Sequence, residues 1–167
     1  QALAAGADGI GLFRSEFLFM GRRDLPGEEE QYEAYATVVK AMQGRPVTIR
    51  TLDIGADKTL DGDATVATNP ALGLRAIRYC LAHPEIFQTQ LRALLRASAH
   101  GKLRILVPMI AHLHEVRAVR QAIAEACQNL ESRDLFFDRN IEVGAMVEIP
   151  AIAIAIEPFV EQLDFLS

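Results

Sequence analysis

The sequence predicts an α/β protein built on a parallel sheet. Three observations lead there. Short β-branched runs alternate with longer runs of helical period along the chain. Strands alternating with helices fold as βαβ units, which put the strands parallel. The 167 residues, half of them hydrophobic, suffice for one domain with a real core.

Each element has its own signal. Residues 9–13 (GIGLF) form the first strand, and its two glycines suit close packing. The cluster Phe17, Phe19 and Met20 that follows is expected in the core. A helix opens at Glu28 with Glu29 and Glu30, acids placed where the helix dipole favours them, runs through Ala41 and stops near Gly44. Residues 47–52 (VTIRTL) are short and β-branched and make the second strand. Residues 53–70, rich in Asp, Gly and Thr, form a long loop, a length usually tied to function or disorder.

Helices are expected over 71–82 and from Pro84 to Ala99, the second carrying its proline in the first turn. Residues 103–107 (LRILV) give a third strand, 116–130 a periodic helix, 141–147 a fourth strand, 151–161 a helix and 163–166 a fifth strand. An open doubly wound sheet and a (β/α)8 barrel seen through its fifth strand both accommodate this order. Nothing in the chain repeats and no segment is of low complexity.

Composition narrows the function classes. A net charge of −5 argues against a general nucleic-acid binder, which needs a basic face. The longest apolar run, 149–156, is interrupted by Pro150 and is too short to insert in a membrane. Cys80 and Cys127 lack metal or CxxC spacing and read as reduced thiols of a cytoplasmic protein, in or near the core. The first residues lack both a basic signal-peptide region and an initiating Met, so a segment of a longer chain is expected.

Three strands end on a charge: Arg14 after GIGLF, Arg50 after VTI and Glu148 after GAMV. In parallel α/β folds the carboxyl ends of the strands face the ligand. Two guanidiniums there clamp a phosphate through paired N–H donors. A carboxylate beside them repels the phosphate unless a cation intervenes, and Mg2+ shared between carboxylate and phosphate suits that gap. The plain alternative is a strand-end arginine that solvates or pairs with an acid such as Glu16. Asp53, Asp57 and Lys58 lie in the following loop, within reach of the same mouth or merely solvated, and Arg75 opens a helix that follows Asn69-Pro70. The four histidines, His83, His100, His112 and His114, read as surface or helix-end residues without a catalytic role.

The blocks GIGLFRSEFLFM, VTIRTLDIGADK, NPALGLRAIR, RASAHGKLRILVPMI and GAMVEIP resemble, in that order, the phosphoenolpyruvate-binding domain of the phosphoenolpyruvate-protein phosphotransferases, enzyme I of the bacterial sugar phosphotransferase system. The resemblance covers essentially the whole chain. It implies a partial (β/α)8 TIM barrel of about the first five strands, with 1–167 as the N-terminal part of the barrel domain. It further implies a cytoplasmic homodimer, Mg2+ as cofactor, phosphoenolpyruvate and pyruvate as ligands and a histidine phosphocarrier protein as partner, with neither nucleic acid nor membrane insertion.

By motif position, Arg14, Arg50 and Arg75 would bind the phosphoryl group, Lys58 would lie near it, and Glu148 would be one of two metal ligands. The second metal ligand, a proton donor and the phosphohistidine domain belong to family segments outside these residues, so the chain alone is expected to be inactive. The family's Gly-Gly-Asp-Lys stands here as Gly55-Ala56-Asp57-Lys58, and its Thr after the metal glutamate is Ile149. Competing readings are the barrel of a pyruvate phosphate dikinase or phosphoenolpyruvate synthase, and a non-catalytic dimerisation or regulatory module.

Overall fold

A computed structural model describes residues 3–22, 24–54 and 73–167. Five strands, β1 (Ile10–Arg14), β2 (Val47–Arg50), β3 (Leu103–Val107), β4 (Glu142–Ala145) and β5 (Phe165–Leu166), form one sheet in the order β1-β2-β3-β4-β5. Every neighbouring pair is parallel. The connections are α1 (Glu28–Ala41), α2 (Ala76–Ala82), α3 (Pro84–Ser98), α4 (Leu113–Ser132), α5 (Pro150–Ile154) and α6 (Glu157–Val160).

Strand order separates the two folds that periodicity leaves open. A doubly wound sheet reverses direction at a switch point and carries helices on both faces. Here each new strand joins the same growing edge. The α1 helix packs on α3, α3 on α4 and α4 on α6, so one layer of helices follows one face of the sheet. This is the arrangement of part of a (β/α)8 barrel.

The two sheet faces differ in chemistry because side chains alternate along each strand. Val47, Ile49, Leu103, Ile105, Val107, Val143 and Ala145 join the core formed with Tyr35 and Val39 of α1, Phe87, Leu91 and Leu94 of α3, and Val116 of α4. The opposite face carries Thr48 and Arg50, Arg104 and Leu106, then Glu142 and Gly144, in register across β2, β3 and β4. Arg104 and Glu142 stand directly opposite and form an ion pair. Gly144 sits against β5 so closely that an added Cβ would lie 2.6 Å from the Phe165 ring and carbonyl oxygen.

Several boundaries differ from the sequence-based expectation. After β1 the chain makes a 3-10 turn over Ser15–Leu18, which buries Phe19 but leaves Phe17 62% and Met20 43% exposed. Only one of the three expected core residues is therefore in the core. At three residues per turn, neighbouring side chains point in different directions. The helix expected from 116 starts at Leu113, because the Glu115 carboxylate reaches back to accept the Ala111 and His112 backbone N–H groups at 2.7 and 2.8 Å.

The single helix expected over 151–161 is two short ones. Pro158 lacks an N–H and its ring clashes with the carbonyl four residues back, at Ile154, where α5 ends. Strands β2 and β4 are shorter than expected, and Arg75 caps α2 rather than lying within it. The expected loop after Ile54 lies outside the described residues. No helix among the described residues is long and apolar enough to cross a membrane.

Candidate functional site

The site lies at the carboxyl ends of the strands. Arg14 and Arg50 are register partners on the last residues of β1 and β2. What joins them is Glu16, from the turn after β1. Its Oε1 accepts from Arg14 Nε at 2.7 Å and from Arg50 Nη2 at 2.5 Å. Asp53, just beyond β2, continues the chain. Its Oδ2 lies 3.2 Å from Arg50 Nη1, and its Oδ1 accepts from Arg75 Nη2 at 2.9 Å. Three guanidiniums and two carboxylates thus alternate in one run: Arg14, Glu16, Arg50, Asp53, Arg75.

Burial makes this arrangement consequential. Glu16 is 4% and Arg50 8% exposed, whereas the Arg14 side chain is 54% exposed and lies over the Phe17 ring at 4.9 Å. Buried charges persist only when paired and hydrogen-bonded. The pairing here is incomplete among the described residues. Arg50 Nε, Arg75 Nε, Glu16 Oε2 and Thr51 Oγ1 are buried with no hydrogen-bond partner. A buried donor left open costs about 1–3 kcal/mol, so two open guanidinium N–H groups in one cluster point to an acceptor that arrives from outside.

On the neighbouring strands, Glu148 lies three residues past β4. Its Oε1 accepts the Met109 backbone N–H at 2.7 Å, which ties the end of β4 to the end of β3. Arg50 Nη1 reaches the Met146 sulfur at 3.8 Å, so the arginine cluster and the Glu148 segment meet. Met109, with φ 61, and Ala76, with φ 48, both adopt the left-handed region without being glycine. Both flank the site, and strain of this kind, of order 1–3 kcal/mol each, concentrates where geometry is held for a ligand.

Behind the strand ends a buried polar network fixes their positions. Gln90 of α3 accepts the Leu52 N–H at 2.9 Å and donates to Ser15 Oγ at 3.0 Å and Tyr35 Oη at 3.1 Å. Tyr35 donates to Gln31 at 3.1 Å, and Gln31 to the Pro26 carbonyl at 2.9 Å. Burial pushes the Tyr35 phenol above its ordinary value, so it stays a neutral donor. One glutamine therefore holds Ser15, between Arg14 and Glu16, and Leu52, between Arg50 and Asp53.

The structure brings Arg14, Arg50 and Arg75 into one cluster and places Glu148 on the adjoining strand ends. Lys58 and Asp57 lie outside the described residues. Glu16, the acid named as a plain partner of Arg14, turns out to pair with Arg14 and Arg50 at once. Gln90, Ser15 and Met109 went unselected. An uncharged residue on a helix carries no sequence signal of a site, and the pairing of Glu16 across to β2 depends on strand order.

His83 and His112 stand at the N-termini of α3 and α4, His114 stacks on the His112 ring, and His100 Nε2 lies 2.8 Å from Tyr32 Oη. Both cysteines are free, Cys80 buried and Cys127 half-buried, and burial raises the Cys80 thiol to about 12. Among the described residues no group of three or more His, Cys, Asp or Glu is placed to hold a metal.

Comparison with known proteins matches residues 1–167 to the family described as PEP-utilising enzyme, PEP-binding domain. A phosphoenolpyruvate-protein phosphotransferase of Cupriavidus necator is 59% identical over 170 residues, covering 99% of this chain and 29% of the relative. One from Geobacillus stearothermophilus is 52% identical over 167 residues, again 99% of this chain and 29% of the relative. One from Staphylococcus epidermidis is 52% identical over 163 residues, 97% of this chain and 28% of the relative. The chain thus spans under a third of the length of the relatives it matches.

Proposed function

Because the chain belongs to the family of PEP-binding domains of PEP-utilising enzymes, we propose that it binds phosphoenolpyruvate at the strand-end arginine cluster as part of a phosphoenolpyruvate-protein phosphotransferase. The observation that carries this reading is the run Arg14, Glu16, Arg50, Asp53, Arg75, with two buried guanidinium N–H groups open. Guanidiniums present several N–H donors in a fixed fork that matches a phosphoryl group. In the proposed reaction a protein histidine attacks the phosphoryl group in line, and charge spreads over its equatorial oxygens. Arg14, Arg50 and Arg75 are already in place when that charge develops, so no reorganisation is needed at that moment.

Mg2+ is the proposed cofactor, and the residues present fit it. Mg2+ is held by one or two carboxylates together with substrate phosphate and water, not by an all-protein cage. Glu148 supplies one carboxylate, oriented by the Met109 N–H on a single oxygen. When bound, the cation neutralises phosphoryl charge next to the arginines. Lys58 is assigned to the substrate by its place in the GADK motif.

Residues 1–167 are read as the N-terminal part of the barrel domain, with binding assigned to these residues and turnover to the full-length protein. The relatives' name favours this enzyme over a dikinase, a synthase or a non-catalytic module. The remainder of the reading follows from the resemblance of the sequence blocks to enzyme I: a cytoplasmic homodimer that passes the phosphoryl group to a histidine phosphocarrier protein, the first step of sugar uptake.

The test is phosphoenolpyruvate-dependent phosphorylation of the full-length protein. Arg50→Ala is expected to lower the rate by about 10²–10³, as for other single positioned electrostatic contacts. Near-normal turnover by this variant contradicts the assignment.

A further inference from the structure

We propose that Glu16 is a positioning residue of the phosphoryl site: it aims Arg14 and Arg50 at one point and partly neutralises them until substrate arrives. This inference rests on the functional reading above. Its geometric basis is that a single oxygen, Oε1, serves both guanidiniums, Arg14 Nε at 2.7 Å and Arg50 Nη2 at 2.5 Å. Two cations sharing one acceptor atom are forced to converge. The carboxylate is 4% exposed and its other oxygen, Oε2, has no partner among the described residues, so Glu16 is not placed there by solvation or by a complete network of its own. Its backbone is pinned from behind, because the Oγ of the adjacent Ser15 accepts from Gln90.

Pairing by Glu16 engages Nη2 of Arg50 and leaves Nε open. Asp53 and the Met146 sulfur take Nη1, so Nε is the nitrogen of Arg50 left for an oxyanion. Charge sets the direction of the effect. Three guanidiniums face two carboxylates in the cluster, a modest net positive site. Removing the Glu16 charge makes the site more positive, which favours anion binding, while the shared anchor of Arg14 and Arg50 is lost. Misplacement of a positioning group by about 1 Å costs about 10²-fold in rate. Affinity and turnover therefore move apart, an outcome that simple loss of folded protein does not produce.

The experiment compares wild type, Glu16→Gln and Glu16→Asp in the full-length protein. It measures kcat and KM for phosphoenolpyruvate, affinity for inorganic phosphate by calorimetry, and Tm. Glu16→Gln is expected to lower kcat by about 10²-fold with KM and the phosphate Kd unchanged or smaller. Glu16→Asp, which restores the charge on a shorter arm, is expected to recover part of kcat.

Unchanged kcat in Glu16→Gln overturns the proposal, as does a weaker phosphate Kd in a variant whose Tm matches wild type. If Glu16→Gln does not fold, Glu16→Asp decides alone, with wild-type kcat as the contrary result. A wild-type protein without phosphoenolpyruvate turnover defeats the functional reading instead, and the phosphate titration still tests Glu16.

Discussion

Glu148 illustrates how much a single side chain can be asked to do. One of its oxygens holds the Met109 N–H and so fixes the chain after β3. A glutamine at this position keeps a carbonyl acceptor for that N–H and loses the charge. Glu148→Gln is therefore expected to leave Tm close to wild type. The Mg2+ concentration for half-maximal activity is expected to rise at least tenfold, since even outer residues of metal sites are worth 10–100-fold. A magnesium titration of phosphoryl transfer checks this, and an unshifted midpoint removes Glu148 from the metal.

At this scale the site was half legible. Arg14, Arg50 and Glu148 are readable because a charge that ends an apolar β-branched run is conspicuous. The pairing of Glu16 with Arg50 is not, because the two residues meet only once β1 lies beside β2. Arg75 needed the family resemblance, since an arginine at a helix start has no distinctive pattern.

Among the elements, helices α1, α3 and α4 are joined by more than apolar contact. The Glu28 carboxylate, in the first turn of α1, accepts from Arg92 at 2.7 Å and Arg96 at 2.9 Å on α3, and from Arg133 just past α4 at 3.1 Å. Burial alone would raise its pKa, but the hydrogen bonds from the three arginines outweigh this and hold it at about 2, against an ordinary 4.5. A carboxylate depressed in this way stabilises the fold above its ordinary value, and the contribution disappears as pH falls from about 4.5 through about 2. Screening by solvent limits it to about 1–2 kcal/mol.

Glu28→Gln is expected to be less stable than wild type by that amount at pH 7 and to converge with it near pH 2. Denaturant unfolding across this pH range provides the check, and a constant difference counts against the staple. The acids at the start of α1 were readable as helix-dipole partners, yet their arginines lie more than sixty residues away. The sequence pattern located the cores of α1, α3 and α4. It missed ends set by local chemistry, such as the Glu115 carboxylate that caps the start of α4 and the Pro158 break between α5 and α6.

The molecule as a whole is a sheet that always adds strands to the same edge, with helices on one face and a line of charges at the carboxyl ends of its strands. Alternating periods in the sequence established parallel strands, but the direction of winding is a long-range property and needed the structure. The winding is what assembles the candidate site, because consecutive strands deliver Arg14, Arg50, Met109 and Glu148 side by side. On the function proposed above, this line of strand ends holds the phosphoryl group of phosphoenolpyruvate. Calorimetric titration of phosphoenolpyruvate with Mg2+ into the full-length protein tests it most directly, using wild type beside Arg50→Gln. Tm is expected to fall in Arg50→Gln, because Glu16 and Asp53 lose their shared cation. At a temperature where both proteins are folded, saturable binding by wild type is expected, with a loss of at least tenfold in affinity in Arg50→Gln, the cost of about 1.4 kcal/mol or more for a charged hydrogen-bond donor. Equal affinity in the two proteins would contradict the proposed site.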